Sequence, residues 1–259
     1  MDDIIRQFGE QQVLAFFAVL ARVSPLFVLA PLFSSRSVPT RVRGIVAVAL
    51  AIGLSPVVGA DTDLSTGVWD IGGLIAKELL VGLAFAFALG AMFAAINVAG
   101  ALLDTLIGFS YGGLVDPVTG NQSAVLTQMY ALVGVLVFIA IGGDGWVIQG
   151  LARTYDIVGL DAAPQVGQLV AGAREAFAGI FTSAVQVAGP ILLALVITDA
   201  AFGIVTRVVP TINVFAVGFP AKITVGLLLL GVTLPFVAGW LAGELERSVG
   251  QALRTLRVA

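Results

Sequence analysis

Six long apolar segments constrain this chain more than any other feature. They run roughly over residues 13–33, 45–58, 74–107, 124–141, 176–196 and 212–242. A helix needs about 20 predominantly apolar residues to cross a bilayer. A soluble domain carries roughly 25% charged residues, whereas this chain carries 11% and is 59% hydrophobic. The pattern predicts an all-α, hydrophobic multi-helix integral membrane protein, folded as one membrane-embedded domain over residues 1–259.

The third and sixth segments are long enough to be helical hairpins or bent helices. Prolines inside apolar segments are expected to kink or break their helices, because proline lacks a backbone N–H and its ring clashes with the preceding turn. These prolines are Pro25, Pro31, Pro190, Pro220 and Pro235. The sequence Gly218-Phe-Pro220 is expected to break the sixth segment, with Asn213 or Lys222 satisfying the freed backbone groups.

The charges that flank the segments predict a conflict in topology. The linker 34–44 carries three arginines and no acid, and the C-terminal tail also carries three arginines. Both are placed in the cytoplasm by the excess of basic residues there. Five segments lie between them, and an odd number of spans would put them on opposite sides. Either the third or sixth segment is a hairpin, or not every helix crosses the bilayer.

A glycine-rich but apolar stretch, the 108–122 segment, separates the third and fourth apolar segments. Its four glycines and one proline prevent a helix from continuing. Irregular backbone that faces lipid leaves hydrogen bonds unmade, so such a stretch is expected to line a cavity or pore. Asp116 is expected to cap a turn rather than to contact a substrate. The candidate pore residues are Gly108, Phe109, Tyr111, Gly112, Gly113, Leu114, Val115, Asp116 and Pro117.

Several ionisable residues lie within or at the ends of the apolar segments. They are Arg22, Lys77, Glu78, Asp104, Asp199, Arg207 and Lys222. A charge inside a membrane normally pairs, faces a cavity or serves transport. Structural pairing, or snorkelling near helix ends, is favoured over a proton or substrate relay. Lys77 and Glu78 are adjacent and point in different directions on a helix, so each is expected to have its own partner.

Composition narrows the possible functions. With no Cys and no His, the chain lacks thiol nucleophiles, thiolate or imidazole metal ligands and the commonest general base. No cofactor, metal or catalytic constellation is therefore expected. A net charge of −3 without a basic tract argues against nucleic acid as a partner. Alanines 84, 88, 91 and 95 form a small-residue stripe that suits either intramolecular packing or a subunit contact.

Four short motifs, taken in order along the chain, resemble the FliR family of type III export-gate proteins. They are Arg22-x-Ser-Pro25, Lys77-Glu78-x-x-x-Gly82, Val115-Asp-Pro117 and Pro210-x-x-Asn213-x-Phe-x-x-Gly-Phe219-Pro220-x-Lys222. The resemblance implies a non-enzymatic core subunit of the flagellar export gate. Such a subunit would lie in the bacterial inner membrane at the flagellar basal body, among lipid, and would pass unfolded export substrates.

The resemblance also implies partners and residue roles. FliP and FliQ homologues would complete the gate, with FlhB and FlhA homologues nearby. Residues 1–170 would be FliP-like and residues 171–259 FliQ-like, with the sixth segment as a hairpin element broken at Pro220. Much of the gate would stand above the membrane plane, which would resolve the topology conflict. The 108–122 segment would plug the pore, and the structural or assembly residues would be Arg22, Lys77, Glu78, Asp104, Asn213, Phe219, Pro220 and Lys222.

Two departures from the family and one alternative function stand beside this interpretation. Gly113 and Leu114 occupy positions where relatives carry bulkier aromatics, and Gly143-Asp-Gly145 replaces an Asn-Gly-His-like turn. The alternative is a secondary transporter with Asp104, Asp199 and Lys222 in its pathway. Transporters commonly show repeat-related broken helices, and the sequence has no convincing repeat.

Overall fold

The structure, a computed structural model, describes residues 9–30, 33, 38–58, 64, 67–109, 124–211 and 213–256. Throughout these ranges the regular structure is helical, as predicted. The helices are α1 Glu10–Val23, α2 Leu26–Leu29, α3 Thr40–Val58, α4 Val68–Ile107, α5 Val125–Ala140, α6 Gly143–Ile157, α7 Val166–Val208 and α8 Val214–Thr255.

Four stretches in the described ranges are long and apolar enough to cross a membrane. They are Gln11–Leu29, Val68–Ile107, Val166–Val208 and Ala216–Thr255. Helices α5 and α6 meet at a bend of 72° and add a fifth span if the bent pair is counted as one. The prediction of a multi-helix integral membrane protein is confirmed.

The third and sixth segments were each expected to be a helical hairpin or a bent helix, and the hairpin alternative is wrong for both. The third forms α4, one helix of 40 residues, and the sixth forms α8, one helix of 42 residues that contains Pro220 and Pro235. A proline removes a single hydrogen bond of the helix and costs about 3 kcal/mol. Tertiary packing supplies most of the stability of protein helices, and packing along so long a helix offsets that loss.

The proline break that was expected inside α8 lies instead before it. Asn213 precedes the helix, and its Oδ1 accepts a hydrogen bond from Ala216 N at 3.2 Å. Pro190 likewise lies inside the continuous helix α7. Pro25 does interrupt its segment, since α1 ends at Val23 and α2 begins at Leu26. Pro31 lies outside the described residues.

The chain changes direction between helices, not at the prolines inside α7 and α8. Gly142 has φ +69°, in the left-handed region, where α5 gives way to α6. Helices α7 and α8 form an antiparallel hairpin, because Asp199 and Lys222, nine and eight residues from the facing helix ends, form an ion pair of 2.7 Å. The hairpin is thus made by the fifth and sixth segments together.

The chain divides into two compact units, each assembled from distant parts of the sequence. Unit 1 comprises Met1–Ala91, Gly142–Phe177 and Leu245–Ala259, and unit 2 comprises Met92–Ile141 and Ala178–Glu244. In unit 1, Val81, Val158, Leu169 and Leu256 form one buried apolar cluster. The end of the chain is therefore part of the core of unit 1. The large side chains buried in unit 2 include Ile96, Leu103, Ile107, Leu126, Phe138, Ile191 and Leu195.

The small-residue stripe of α4 serves packing within the chain. Ala91 and Ala95 are buried. Ala84 and Ala88 line a small cavity in unit 1 together with Gly172 and Ala252. The intramolecular alternative accounts for all four alanines.

Candidate functional site

Arg22 and Glu78, both predicted as structural residues, form a buried ion pair in unit 1. Both side chains are fully buried. Arg22 Nε donates to Glu78 Oε2, and Arg22 Nη2 donates to Glu78 Oε1 at 3.0 Å. The two parallel bonds are the bidentate geometry in which guanidinium and carboxylate match best. Through this ion pair, Glu78 on α4 anchors the last turn of α1, where Arg22 lies.

Two further donors of Arg22 bind residues at the end of α6. Nη1 donates to Thr154 Oγ1 at 3.1 Å, and Nη2 donates to the Val158 carbonyl at 2.9 Å. The guanidinium carbon lies 3.8 Å from the centre of the Tyr155 ring, a cation–π contact. Neither Thr154 nor Tyr155 was predicted, because nothing in the local sequence shows that they face an arginine more than 100 residues away.

Lys77 binds mainly to backbone carbonyls. Its Nζ donates to Leu160 O at 2.6 Å, Ala162 O at 3.0 Å and Gly159 O at 3.2 Å. It also lies 3.1 Å from Glu78 Oε1. The expectation of separate partners for Lys77 and Glu78 holds for their main contacts, although the two also pair with each other.

Arg22, Lys77 and Glu78, here called the buried charge cluster, carry one more positive than negative charge. Burying an uncompensated charge costs several kcal/mol. The C-terminus of a helix carries partial negative charge on its free carbonyls. Val158 O, Gly159 O and Leu160 O, which directly follow α6, accept hydrogen bonds from the two cations. The carbonyls at and just after the C-cap of α6 therefore offset part of the excess positive charge of the cluster.

The close approach of α4 to α1 explains why the Lys77-Glu78-x-x-x-Gly82 motif ends in glycine. Residues four apart lie on one face of a helix, so Glu78 and Gly82 face α1 together. A Cβ at Gly82 would collide with the backbone carbonyl of Arg22. Further along, a Cβ at Gly90 would come within 3.1 Å of Leu29 O. The glycines let α4 approach α1 and α2 closely enough for the ion pair to form.

Asp104 in unit 2 holds the beginning of α5. Its side chain is 2% exposed. Leu126 N donates to Oδ1 at 2.9 Å, while Thr127 N and Thr127 Oγ1 donate to Oδ2 at 2.9 and 2.7 Å. Ala124, the N-cap residue of α5, offers no side-chain cap. The Asp104 carboxylate on α4 therefore caps α5, which the N-cap residue Ala124 cannot do with its own side chain.

The 108–122 segment is described only where it leaves α4. The N–H of Gly108 makes a last helical hydrogen bond to the carbonyl of Asp104 at 3.2 Å, and the φ of +102° at Gly108 then ends the helix. Phe109 follows and is half-buried. The remaining predicted pore residues lie outside the described residues, so their role stays a prediction: Tyr111, Gly112, Gly113, Leu114, Val115, Asp116 and Pro117.

The other predicted residues lie on the α7–α8 hairpin. Lys222 is largely covered, whereas the side chain of its partner Asp199 is 54% exposed. Phe219 and Pro220 are exposed on α8, about two turns after the cap formed by Asn213. These residues belong to unit 2, and the buried charge cluster belongs to unit 1.

Comparison with known proteins places the chain in a family. Residues 13–248 match the family described as Bacterial export proteins, family 1. The chain is 33% identical to the flagellar biosynthetic protein FliR of Bacillus subtilis, covering 86% of this chain and 87% of that protein. It is 28% identical to FliR of Escherichia coli, covering 86% and 85%. It is 25% identical to the surface presentation of antigens protein SpaR of Shigella sonnei, covering 79% and 78%.

These matches cover most of the chain and agree with its apolar helices. The four stretches of the described residues that are long enough to span a bilayer make it a multi-pass membrane protein. The order of motifs that suggested a family resemblance runs through the matched range. The chain belongs to the FliR family of bacterial export proteins.

Proposed function

We propose that this chain is a non-enzymatic core subunit of the flagellar type III protein export gate. In that role it forms and plugs part of the channel through which unfolded flagellar proteins leave the cell. FliP and FliQ homologues are its proposed partners, with FlhB and FlhA homologues nearby. The FliP-like part is proposed to cover roughly residues 1–170 and the FliQ-like part residues 171–259.

The observation that carries this proposal is the exposed apolar surface of α7. The helix has 43 residues, which corresponds to about 65 Å at 1.5 Å per residue. Large apolar side chains are exposed from its first turn, at Val166 (61%), to its last, at Val208 (74%). The hydrocarbon core of a bilayer is only about 30 Å thick. Lipid alone covers too little of this surface, which supports a role inside an assembly of several subunits.

The transporter alternative is weakened by the contacts of its three candidate residues. Asp104 accepts three hydrogen bonds from the start of α5. Asp199 and Lys222 form an ion pair with each other. A carboxylate that relays protons or binds a cation must exchange its partners, and these contacts give the residues a structural task instead. These structural contacts favour a gate subunit over a transporter.

The proposed plug works by excluding water. A constriction of apolar side chains prevents ions from passing by dewetting, and Phe109, Tyr111, Leu114 and Val115 would supply such side chains. Glycines at positions 112 and 113 tolerate many backbone conformations and would let the segment move aside when a substrate enters. The energy for export would come from other components of the apparatus.

Deleting residues 112–120 tests this proposal. We expect the complex with FliP and FliQ homologues to assemble and to become leaky, because the deletion removes Leu114 and Val115, two of the four proposed constriction side chains. Potassium efflux from proteoliposomes that contain the purified complex measures the effect. A matched control replaces the same nine residues by a glycine–serine linker of equal length, which keeps the connection but removes the apolar side chains. Unchanged efflux from both variants would contradict the plug.

A further inference from the structure

We infer that residues 158–162, here called the ammonium-binding turn, form a receptor for one small ammonium ion. The turn directly follows α6, and in this chain the Lys77 side chain supplies the ion from α4. Without that side chain, the turn should bind a free primary ammonium ion from solution. The site lies within unit 1, and its existence does not depend on the proposed role in export.

The backbone of the turn directs several carbonyl groups at one nitrogen atom. Lys77 Nζ donates to Leu160 O at 2.6 Å, to Ala162 O at 3.0 Å and to Gly159 O at 3.2 Å. Three acceptors require three N–H groups, which lysine has only in its protonated form. Glu78 Oε1, 3.1 Å from Nζ, adds a fourth oxygen. Such a shell of oxygens is how proteins replace the hydration of a monovalent cation.

Apolar side chains hold the turn against the core of unit 1. Val158 is buried in the cluster that contains Leu256, and Leu160 is buried in a second cluster that contains Leu14. A carbonyl that is buried without a donor costs free energy comparable to a lost hydrogen bond. The turn's own bond, from Ala162 N to Gly159 O, is 3.3 Å long and therefore weak. The ammonium is thus the main donor to these carbonyls.

The charge and the number of ligands suit a monovalent cation. The turn begins at Val158, the C-cap of α6, where the helix dipole places partial negative charge. The Glu78 carboxylate is shared with Arg22, so one further positive charge is enough. Divalent calcium and magnesium prefer six or more oxygen ligands, whereas this site presents four. The Lys77 side chain is 15% exposed, so a small solute can reach the site.

The tethered ammonium also connects two distant parts of the chain. Lys77 lies 82–85 residues before the carbonyls that it binds. A free ammonium ion would satisfy the same carbonyls but would not link them to α4. We therefore expect a free ion to recover part of the stability that is lost with the lysine side chain, and not all of it.

Lys77→Ala, combined with an amine, tests for the receptor. The substitution removes the atoms from Cγ to Nζ, which n-propylammonium can replace. The thermal midpoint of the detergent-purified chain is measured with n-propylammonium chloride. Propyltrimethylammonium chloride at the same concentration is the control, because it has the same charge and chain but no N–H. Lys222→Ala is the matched variant, since Lys222 pairs with the half-exposed Asp199 carboxylate.

We expect Lys77→Ala to lower the midpoint by about 4 °C or more, the shift that corresponds to the loss of one charge-assisted hydrogen bond in a chain of this size. n-Propylammonium should recover about half of that loss, with a midpoint that rises with concentration as mass action requires. Propyltrimethylammonium should recover none of it. The unsubstituted chain, whose receptor is filled, and Lys222→Ala should respond to neither salt.

Lys77→Met is the second variant if Lys77→Ala cannot be purified. Methionine keeps the apolar part of the side chain and leaves the position of the ammonium group empty. The probe is then ammonium chloride, and the control is tetramethylammonium chloride, which again has the charge without an N–H. Recovery by ammonium alone is expected, and the salts are present from the extraction step onwards.

Three outcomes overturn the assignment of a receptor. In the first, the primary ammonium ion raises the midpoints of the Lys77 variant, Lys222→Ala and the unsubstituted chain equally, which is an effect of the solvent. In the second, loss of the lysine ammonium leaves the midpoint unchanged. In the third, the Lys77 variants lose stability or yield and no ammonium ion restores any of it, which would make Lys77 only a tie between α4 and the turn.

Discussion

The buried charge cluster and the Asp199–Lys222 pair show two different uses of charge in one apolar chain. Arg22 and Glu78 are fully buried, and the guanidinium is bound on several sides. Asp199 is half-exposed and has a single cation. Removing one partner of a buried pair costs about 3–5 kcal/mol because it strands a charge, whereas an exposed pair contributes about 0–1 kcal/mol. The cluster therefore holds the fold of unit 1, whereas the exposed pair contributes little to the stability of unit 2.

The largest expected effect comes from Glu78→Gln. The substitution keeps the shape of the side chain but leaves the Arg22 guanidinium buried without its counter-charge. We expect about 3–5 kcal/mol of destabilisation, seen as a lower midpoint for thermal aggregation of the detergent-purified chain. Glu246→Gln, at an exposed position of α8, is the matched control and should change the midpoint little. Equal thermal midpoints for the two variants would contradict the claim that the buried charges stabilise the fold more than the exposed ones.

A smaller effect is expected from Gly82→Ala, which leaves every charge in place. The new methyl group would collide with the carbonyl of Arg22 and push α1 away from Glu78. Overpacking of this kind costs about 1–3 kcal/mol. Gly72→Ala is the control, since a Cβ there meets nothing within 4 Å, and it should be neutral or slightly stabilising because alanine favours helix. The same thermal midpoint measures both, and a harmless Gly82→Ala would show that the ion pair does not depend on close approach.

The smallest effect on the chain itself is expected from Lys222→Ala. The exposed pair should contribute at most about 1 kcal/mol to stability, so the isolated chain should keep its thermal midpoint. We expect the yield of complex with FliP and FliQ homologues to fall before export does, because the freed Asp199 then lies unpaired on an exposed face. Motility and complex yield, measured in the same cells, test the order. Normal yield with lost export would place Lys222 in the conduction pathway instead.

The sequence predicted the class of fold well and the local geometry unevenly. Apolar segment lengths suffice to predict membrane helices, and charges inside such segments mark residues with specific structural partners. The hairpin alternative failed at the third segment, which contains no proline and was judged by its length alone. It failed at the sixth because Pro220 was taken to break the helix, whereas helix packing outweighs that local preference. Asn213 indicates the start of α8 better than Pro220 does, since Asn is a preferred N-cap residue.

The candidate site was predictable in its charges but not in its neutral partners. Arg22, Lys77, Glu78 and Asp104 stood out because charge is rare in apolar segments. Thr154, Tyr155 and the carbonyls after α6 did not, because a hydroxyl or a backbone group is common everywhere in the chain. Asp104 was identified as buried, but its role as the cap of α5 required knowledge of which helix end it meets.

The proposed role as a gate subunit is tested most directly by co-purification. The tagged full-length chain is extracted from membranes in mild detergent, and its partners are identified by mass spectrometry. The account predicts one stable complex that contains FliP and FliQ homologues and that survives size-exclusion chromatography. A chain that purifies alone, or only with further copies of itself, would contradict the account and return attention to Asp104, Asp199 and Lys222 as transport residues.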